Sequence, residues 1–405
     1  MHPHFLDFKK IVSTLVLQLK KALLPPFNRH IQMAKKPFHI TQELPTSLLV
    51  AVDAPYNLTV YMDTYFEEFA NLAKTAGIPT EHMIIIKLRT IDSGFFFSKG
   101  KLQEIKDSCQ EFNVAQVIVS ERLSPMQIRN LEDFLECKVV DRTDLILDIF
   151  EKAALSSEGK TQVAIARLQH KKARLAGRGV HLDQQAGFTG SRGGAGETAK
   201  ERERRHIENQ ILTMKRSLES LQNNRAVQRK RRLENKVPLA CLIGYTNAGK
   251  STILNALTKS NVLAEDKLFA TLDTTTRALF IGGTQKGVLS DTVGFIQQLP
   301  HHLIEAFKST LSELQFADLL LHVIDASDPN WKSHISIVLD ILLSLGVEKK
   351  MLYVFNKIDK VDTIDELTAQ AQEYQPHVLI SAKNKEGLEP LIDYLKAWET
   401  RTEPA

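Results

Sequence analysis

The sequence contains little cysteine and no long uninterrupted hydrophobic run. Only three of its 405 residues are cysteines, Cys109, Cys137 and Cys241, and their wide scatter matches neither a metal-ligand spacing nor a disulfide framework. A reducing compartment is therefore expected, and we predict a cytoplasmic location. Aromatic residues make up 7% of the chain and charged residues 25%, which are ordinary values for a soluble protein. Collagen-like, disordered and membrane-spanning classes are thereby excluded.

Residues 1–44 are predicted to be a separate N-terminal extension. The apolar run at 11–19 contains nine residues, which is too short to span a bilayer, so no transmembrane segment is predicted. Three interpretations of residues 5–24 stay open: an amphipathic helix at a membrane surface, a targeting peptide, or a start codon placed too early, with Met33 as the alternative start. Peripheral membrane association therefore remains an alternative, and we assign the extension no function.

From about residue 47 to residue 150, short apolar runs alternate with stretches of helical periodicity. The predicted strands are 48–52, 83–88, 117–120 and 138–140, and the predicted helices are 61–76, 100–112, 125–135 and 143–155. Strands separated by helices of this length are typical of parallel sheets. The fold class is therefore α/β, with a small parallel α/β domain at 45–157.

Residues 158–236 have the apolar spacing of paired helices. The first predicted helix places Ile165, Leu168 and Leu175 on one face. A second helix has apolar residues at spacings of four and three, namely Ile207, Ile211, Met214, Leu218 and Leu221. We predict that the two helices form an antiparallel hairpin that reaches outward.

The loop between these helices, residues 177–197, is rich in glycine and arginine. It contains seven of the chain's 19 glycines, and the wider segment 160–236 holds 19 Lys and Arg against 7 Asp and Glu. A glycine-rich backbone can approach another surface closely, and guanidinium groups bind phosphates. Arg174, Arg178 and Arg192 are therefore predicted RNA contacts. A disordered linker is the alternative interpretation.

A predicted strand at 238–243 leads into a glycine-rich loop and then into a helical stretch at 252–258. The loop has the spacing of a P-loop in the strand–loop–helix context that such a loop requires. Its backbone N–H groups would bind phosphates, Lys250 would reach the β- and γ-phosphates, and Ser251 would bind Mg²⁺. The predicted nucleotide-binding positions are Gly244, Tyr245, Thr246, Asn247, Ala248, Gly249, Lys250 and Ser251.

A second phosphate motif follows a short strand at 288–291. Its aspartate can reach Mg²⁺ through water, and its glycine amide can sense the γ-phosphate. The four nucleotide-binding positions predicted here are Asp291, Thr292, Val293 and Gly294.

Two further motifs indicate which base is bound. After a strand at 351–355, the Asp359 carboxylate can accept hydrogen bonds from guanine N1–H and the exocyclic amine, whereas adenine has neither donor on that edge. Amides after a last strand at 378–380 can meet guanine O6. The predicted base-binding positions are Asn356, Lys357, Ile358, Asp359, Ser381, Ala382 and Lys383. We therefore predict a G domain of the translation-factor-like class at 237–400, which hydrolyses GTP to GDP and phosphate.

The threonine that completes the Mg²⁺ site is not determined by spacing. The effector loop at 269–276 offers four candidates, which are Thr271, Thr274, Thr275 and Thr276. Ordering of this loop by the γ-phosphate, and its release after hydrolysis, would be the nucleotide switch.

From about residue 47 to its end, the chain resembles the HflX family of ribosome-associated GTPases. The motifs that carry the resemblance are GYTNAGKS at 244, FATLD at 269, DTVGFI at 291, LPH at 299, SKGKL at 98 and the glycine-rich hairpin loop. The resemblance implies that Thr271 is the Mg²⁺ ligand. It also implies nucleotide-binding roles for the rest of the FATLD motif, namely Phe269, Ala270, Leu272 and Asp273.

The same resemblance implies partners that spacing and composition do not show. These are the 50S ribosomal subunit and its rRNA, with the hairpin loop directed toward the peptidyl-transferase region and stalled 70S ribosomes as the substrate to be split. A monomer is expected. The alternatives are a GTP-dependent RNA helicase, an rRNA-remodelling or ribosome-assembly factor, and a membrane-surface GTPase anchored by residues 5–24.

The catalytic candidates are Lys250, Asn247 and Phe295. Phe295 lies where many small GTPases have a water-orienting glutamine, and a phenyl ring cannot polarise water, so slow intrinsic hydrolysis is predicted. Lys250, Mg²⁺ and a partner would then supply the chemistry. Asn247 resembles the P-loop asparagine of potassium-activated GTPases, so K⁺ is a second candidate ion, and a purely loop-stabilising role stays open.

Overall fold

The computed structural model describes residues 46–57, 59–177, 199–258, 267–298, 303 and 311–398. The N-terminal extension, the LPH motif and most of the glycine-rich loop lie outside the described residues, and so do Arg178 and Arg192.

A four-stranded parallel sheet is the centre of the N-terminal part. Its strands are β1 (Ser47–Asp53), β2 (His82–Lys87), β3 (Gln116–Val119) and β4 (Lys138–Val140), in the order β2-β1-β3-β4. The helices between and after them are α1 (Met62–Thr75), α2 (Lys99–Glu111), α3 (Pro125–Leu135) and α4 (Arg142–Ala153). All eight predicted elements are present, and the α/β fold class is confirmed.

Local sequence signals explain where two of these helices, α3 and α4, begin. Ser124 accepts a hydrogen bond from the Gln127 N–H (3.2 Å), and the Gln127 side chain accepts one from the Ser124 N–H (2.8 Å), which is a reciprocal capping box. Pro125 follows as the first helical residue, where its missing N–H costs nothing. The Asp141 carboxylate caps α4 by accepting the Asp144 N–H at 2.9 Å.

Two long helices follow, α5 (Ser157–Gly177) and α6 (Ala199–Glu234), and they pack against each other. Three residues of the predicted apolar faces are buried, namely Ile165, Leu175 and Ile207, and the other five are half-buried, namely Leu168, Ile211, Met214, Leu218 and Leu221. Ion pairs Lys171–Glu203 and Lys172–Glu208, each at 2.9 Å, join the end of α5 to the beginning of α6. An antiparallel pair of helices brings these ends together.

The C-terminal part is built on a six-stranded sheet in the order β10-β9-β8-β5-β7-β6, in which only β6 is antiparallel to its neighbour. Its strands are β5 (Leu239–Gly244), β6 (Thr275–Ile281), β7 (Thr284–Asp291), β8 (Leu319–Asp325), β9 (Met351–Asn356) and β10 (His377–Leu379). The α-helices are α7 (Lys250–Thr258), α8 (Trp331–Ser344), α9 (Ile364–Ala371) and α10 (Leu388–Ala397), and two 3₁₀ helices span Ser312–Phe316 and Ile358–Lys360.

One hydrophobic cluster contains residues packed around the four-stranded sheet and residues packed around the six-stranded sheet. It includes Phe150 from α4, Val163 from α5, and Phe269 and Phe295 from loops of the C-terminal sheet. The chain from Leu44 onward accordingly forms a single compact unit. The predicted boundaries at 157/158 and 236/237 therefore separate segments that share a core, and they stay predictions. Within the described ranges, no helix combines the length and the apolar composition that a membrane crossing needs.

Candidate nucleotide-binding site

The loop between β5 and α7 has a backbone that needs glycine at two positions. Gly244 has a φ of +145° and Gly249 a φ of +97°, values that residues with a side chain rarely adopt. A Cβ on Gly244 would lie 2.1 Å from the Val323 carbonyl oxygen, and one on Gly249 would lie 2.2 Å from the Asn356 amide nitrogen. The loop therefore closes onto neighbouring strands, and α7 begins directly after it with its positive dipole end at the loop.

Lys250 is buried beneath this loop. Its ammonium group donates to the carbonyl oxygens of Gly244 (3.2 Å) and Tyr245 (2.8 Å). The pKa of Lys250 is lowered to about 8, chiefly by burial; the neighbouring Asp291 opposes the shift and Lys357 adds to it. An incoming phosphate would stabilise the charged ammonium group further, because it adds negative charge to that of Asp291.

Three side-chain oxygens converge beside the loop. The Ser251 hydroxyl donates to Asp291 Oδ2 at 2.5 Å and lies 2.9 Å from the Thr271 hydroxyl, which is itself 3.2 Å from Asp291 Oδ2. Asp291 is fully buried, burial raises its pKa, and its Oδ1 has no hydrogen-bond partner in the described part of the chain. An all-oxygen set with a spare buried carboxylate oxygen fits Mg²⁺, which would neutralise phosphate charge when bound.

The convergence separates Thr271 from two of the other three threonines of the effector loop, Thr275 and Thr276. Thr271 contacts Ser251 and Asp291, whereas the Thr276 hydroxyl donates to Ser290 Oγ at 3.1 Å within the β6–β7 pair. Thr275 and Thr276 both belong to β6. The geometry therefore favours Thr271 as the second protein ligand to Mg²⁺.

The base-reading motifs lie at the ends of β9 and β10. The Asn356 amide donates to the Ala248 carbonyl oxygen (2.8 Å) and accepts the Ala382 N–H (3.0 Å), so it joins the P-loop to the last motif. The Asp359 carboxylate is exposed and accepts a hydrogen bond from the Ser381 hydroxyl at 2.6 Å. Lys357 has a φ of +66° and forms an ion pair with Asp325 at 2.6 Å. The structure thus brings together these motifs, although they are separated in the sequence.

The segment after Asp291 is attached to the P-loop through its backbone. The Phe295 N–H donates to the Gly244 carbonyl oxygen at 3.1 Å, and the Thr246 N–H donates to the Phe295 carbonyl oxygen at 2.7 Å. The Phe295 ring is 1% exposed and lies in the hydrophobic cluster, so it does not face solvent water. A Cβ on Gly294 would approach Lys250 Nζ to 2.9 Å, which leaves room for hydrogen alone.

The remaining predicted positions surround this arrangement. The Thr292 hydroxyl donates to the Leu242 carbonyl oxygen at 2.7 Å, and Val293 is buried. Asn247 is exposed at the outer edge of the P-loop with a φ of +59°. Ala270 lines the same cavity as the P-loop, and Lys383 is exposed beside the base-reading motif.

Comparisons with known proteins match three consecutive segments of the chain to families of GTP-binding proteins. Residues 63–151 match the family model "GTP-binding GTPase N-terminal", residues 153–232 match "GTP-binding GTPase Middle Region", and residues 239–357 match "50S ribosome-binding GTPase". The GTPase HflX of Lacrimispora saccharolytica is 47% identical over 331 residues, which cover 82% of this chain and 78% of that protein. The chain belongs to the HflX family of GTPases.

Two further relatives support the membership of this chain in the HflX family. The GTPase HflX of Caldanaerobacter subterraneus is 45% identical, over 81% of this chain and 76% of the relative, and that of Escherichia coli K12 is 40% identical, over 81% and 78%. A solved GTP-binding protein from Sulfolobus solfataricus in complex with GDP is 24% identical, with a TM-score of 0.45, and covers 87% of this chain and 98% of that one. The HflX relatives and the match to the model "50S ribosome-binding GTPase" show that the chain is an enzyme that hydrolyses GTP and that its family is ribosome-associated.

The predicted RNA contact Arg174 lies at the end of α5, where it pairs with Asp144 of α4 and is 29% exposed. Its role in RNA binding stays a prediction.

Sequence reasoning missed how the N-terminal part touches the nucleotide site. The Tyr245 hydroxyl donates to Glu68 of α1 and accepts the Gln297 N–H at 2.8 Å. Glu68 also pairs at 2.5 Å with Arg142, whose side chain is fully buried. No sequence signal could have found this network, because its members are far apart along the chain and, apart from Tyr245 in the P-loop, none of them belongs to a predicted motif.

Proposed function

We propose that this HflX-family GTPase binds the large ribosomal subunit and its rRNA in the GTP form, splits stalled 70S ribosomes, and is released by GTP hydrolysis. The observation that carries the proposal is the basic hairpin joined to a GTPase site. Exposed cations line the described part of α6, namely Arg202, Arg204, Arg205, Lys215, Arg216 and Lys230. Cations at this density bind a phosphate backbone and release its counterions.

The length of the hairpin supports a role inside the ribosome. The 36 residues of α6 correspond to about 54 Å at the helical rise of 1.5 Å per residue. Such an arm can carry the arginine-containing loop deep into an RNA assembly and disturb contacts between subunits. The match of residues 239–357 to a family described as "50S ribosome-binding GTPase" favours the large subunit as the partner.

Replacing Arg178 and Arg192 with alanine should weaken co-sedimentation with 50S subunits and reduce ribosome stimulation of GTP hydrolysis. Removal of two phosphate contacts should also reduce the salt dependence of binding, because each contact contributes about one unit to its slope. The measurement is co-sedimentation at several salt concentrations. A matched control is Lys349→Ala with Lys350→Ala, two exposed lysines outside the hairpin. Undiminished binding of the arginine variant at low and high salt would refute the RNA-contact assignment.

Sucrose gradients distinguish splitting from the alternative, an rRNA-remodelling or ribosome-assembly factor. With GTP, the protein should convert 70S particles to subunits, and with a non-hydrolysable analogue it should stay on the 50S peak. An unchanged 70S peak with the protein bound to free 50S subunits would instead favour the assembly factor.

We propose a cytoplasmic monomer in which residues 1–32 are not needed for ribosome binding. The membrane-surface alternative predicts that removing these residues abolishes liposome binding. Binding of the full chain to liposomes would support that alternative.

We further propose that Asn247 helps to bind K⁺ beside the phosphates. Its exposed side chain lies at the edge of the P-loop, on the wall of the phosphate cavity. Single-turnover GTP hydrolysis should therefore be faster in K⁺ than in Na⁺, and Asn247→Ala should remove the difference. Equal rates of the wild-type protein in the two salts would refute the K⁺ proposal and leave Asn247 with a loop-stabilising role.

A further inference from the structure

A carboxylate from the effector loop contacts the N-cap residue of the first hairpin helix. At the start of α5, Ser156 is the N-cap residue: its hydroxyl oxygen accepts the Gly159 N–H at 2.9 Å, and its carbonyl accepts the Lys160 N–H at 3.0 Å. The Asp273 carboxylate accepts the N–H groups of Leu155 (3.0 Å) and Ser156 (2.7 Å), and also the Ser156 hydroxyl hydrogen. Asp273 therefore orients the hydroxyl that caps the helix.

Gly159 shows that this contact depends on close approach. A Cβ at this position would lie 2.3 Å from Asp273 Oδ1, a separation that side-chain carbons do not tolerate. Gly159 lies in the first turn of α5, where alanine is otherwise more favourable than glycine. The need for space beside the carboxylate accounts for glycine here.

The effector-loop segment 269–273, which contains Asp273, also reaches the nucleotide site. Thr271, two residues before Asp273, lies 2.9 Å from the Ser251 hydroxyl and 3.2 Å from Asp291 Oδ2. Leu272, which lies between them, is 2% exposed. Its packing leaves Thr271 and Asp273 little freedom to move independently of each other.

Phe269 holds the beginning of the segment. Its ring meets that of Phe150 in α4 edge-to-face, with centroids 4.7 Å apart, and its φ is +56°. A bulky residue adopts this left-handed conformation only where its surroundings determine it. The N-terminal part, the hairpin helix and the nucleotide site thus all contact residues 269–273.

We propose that Asp273 is a positioning residue that couples GTP binding to the capping of α5. GTP with Mg²⁺ holds Thr271 in place, and the carboxylate two residues later then completes the helix cap. Release of the loop after hydrolysis withdraws Asp273 and loosens the base of the hairpin. Because coupling between two sites is reciprocal, an intact cap must in turn favour GTP over GDP. This proposal rests on GTP binding and not on the proposed splitting of ribosomes.

The test uses two variants that break the cap outside the nucleotide site, Ser156→Ala and Gly159→Ala. In the full-length protein with Mg²⁺, each should lower the affinity for a non-hydrolysable GTP analogue about fivefold relative to GDP, which is the lower end of typical couplings between sites. Hydrogen exchange should show that the amides of residues 155, 156 and 159 in the wild-type protein are better protected with the analogue than with GDP. Ser156→Thr keeps the hydroxyl and should keep the wild-type affinity ratio.

Ser124→Ala is the matched control, because it removes the cap of α3, in which the Ser124 hydroxyl accepts the Gln127 N–H and not a group of the effector loop. It should lower the melting temperature and leave the ratio of the two affinities unchanged. If Ser156→Ala and Gly159→Ala behave in the same way as this control, their role is structural and the coupling is refuted. Equal protection of the three amides in both nucleotide states would refute it as well.

Discussion

Asp359→Asn should lower the affinity for GTP by roughly 10²- to 10⁴-fold and raise the affinity for xanthosine triphosphate. A carboxylate accepts both hydrogen bonds that the guanine edge offers, whereas an amide opposes one guanine donor with a donor of its own. Xanthine carries an oxygen at that position, which the amide can bind. The structure supports the role, since the Ser381 hydroxyl holds one oxygen of the carboxylate at 2.6 Å and leaves the group exposed.

The measurement for this prediction is equilibrium binding of GTP and xanthosine triphosphate to both proteins. Binding of the xanthine nucleotide by the variant would also show that its fold is intact. Asp362→Asn is the matched control, because it neutralises an exposed carboxylate three residues away. A variant at Asp359 that retains the wild-type preference for guanine would show that another group selects the base.

Thr271→Ala should lower kcat for GTP hydrolysis about 100-fold and change GDP affinity little. The hydroxyl joins Ser251 and Asp291 in the oxygen cluster that fits Mg²⁺, and loss of one group that stabilises transition-state charge typically costs 10²- to 10³-fold. GDP binding should be spared, because the effector loop is ordered through the γ-phosphate. Single-turnover hydrolysis and GDP binding measure the two effects.

Thr274→Ala is the control in the same loop, since this residue was an equal candidate on spacing alone. It should hydrolyse GTP at close to the wild-type rate. If Thr274→Ala loses activity and Thr271→Ala keeps it, the assignment of the magnesium ligand is wrong.

The strands and helices of the N-terminal part could be predicted because local periodicity matches their burial. Residues 48–52 are apolar without interruption, and all five are fully buried in β1, which has a strand on each side. By contrast, five elements of the C-terminal part were not predicted, namely β6, β8, α8, α9 and α10. The strand β8 contains His322, which is 1% exposed and has a pKa lowered to about 3 by burial. The apolar run that contains this histidine is a strand signal, but no functional motif marks it.

The features that could not be predicted depend on interactions between residues far apart along the chain. Arg142 is a charged residue that sequence reasoning would place on the surface, yet its side chain is fully buried and pairs with Glu68. Such a buried charge is tolerated only because a partner is held in place by other elements. In the same way, contacts with residues 20 positions away along the chain favour Thr271 among the four threonines that spacing leaves open.

The sequence by itself determined that this protein is a P-loop GTPase with an α/β domain and a basic hairpin. It could do so because phosphate and base recognition need particular residues at short, contiguous spacings after strands, and because strands and helices have different apolar periods. Only the tertiary structure brings the Thr271 hydroxyl to Ser251 and Asp291, and the Asp273 carboxylate to the N-cap residue of α5. Those contacts join residues up to 117 positions apart, and spacing along a chain does not specify distances in space.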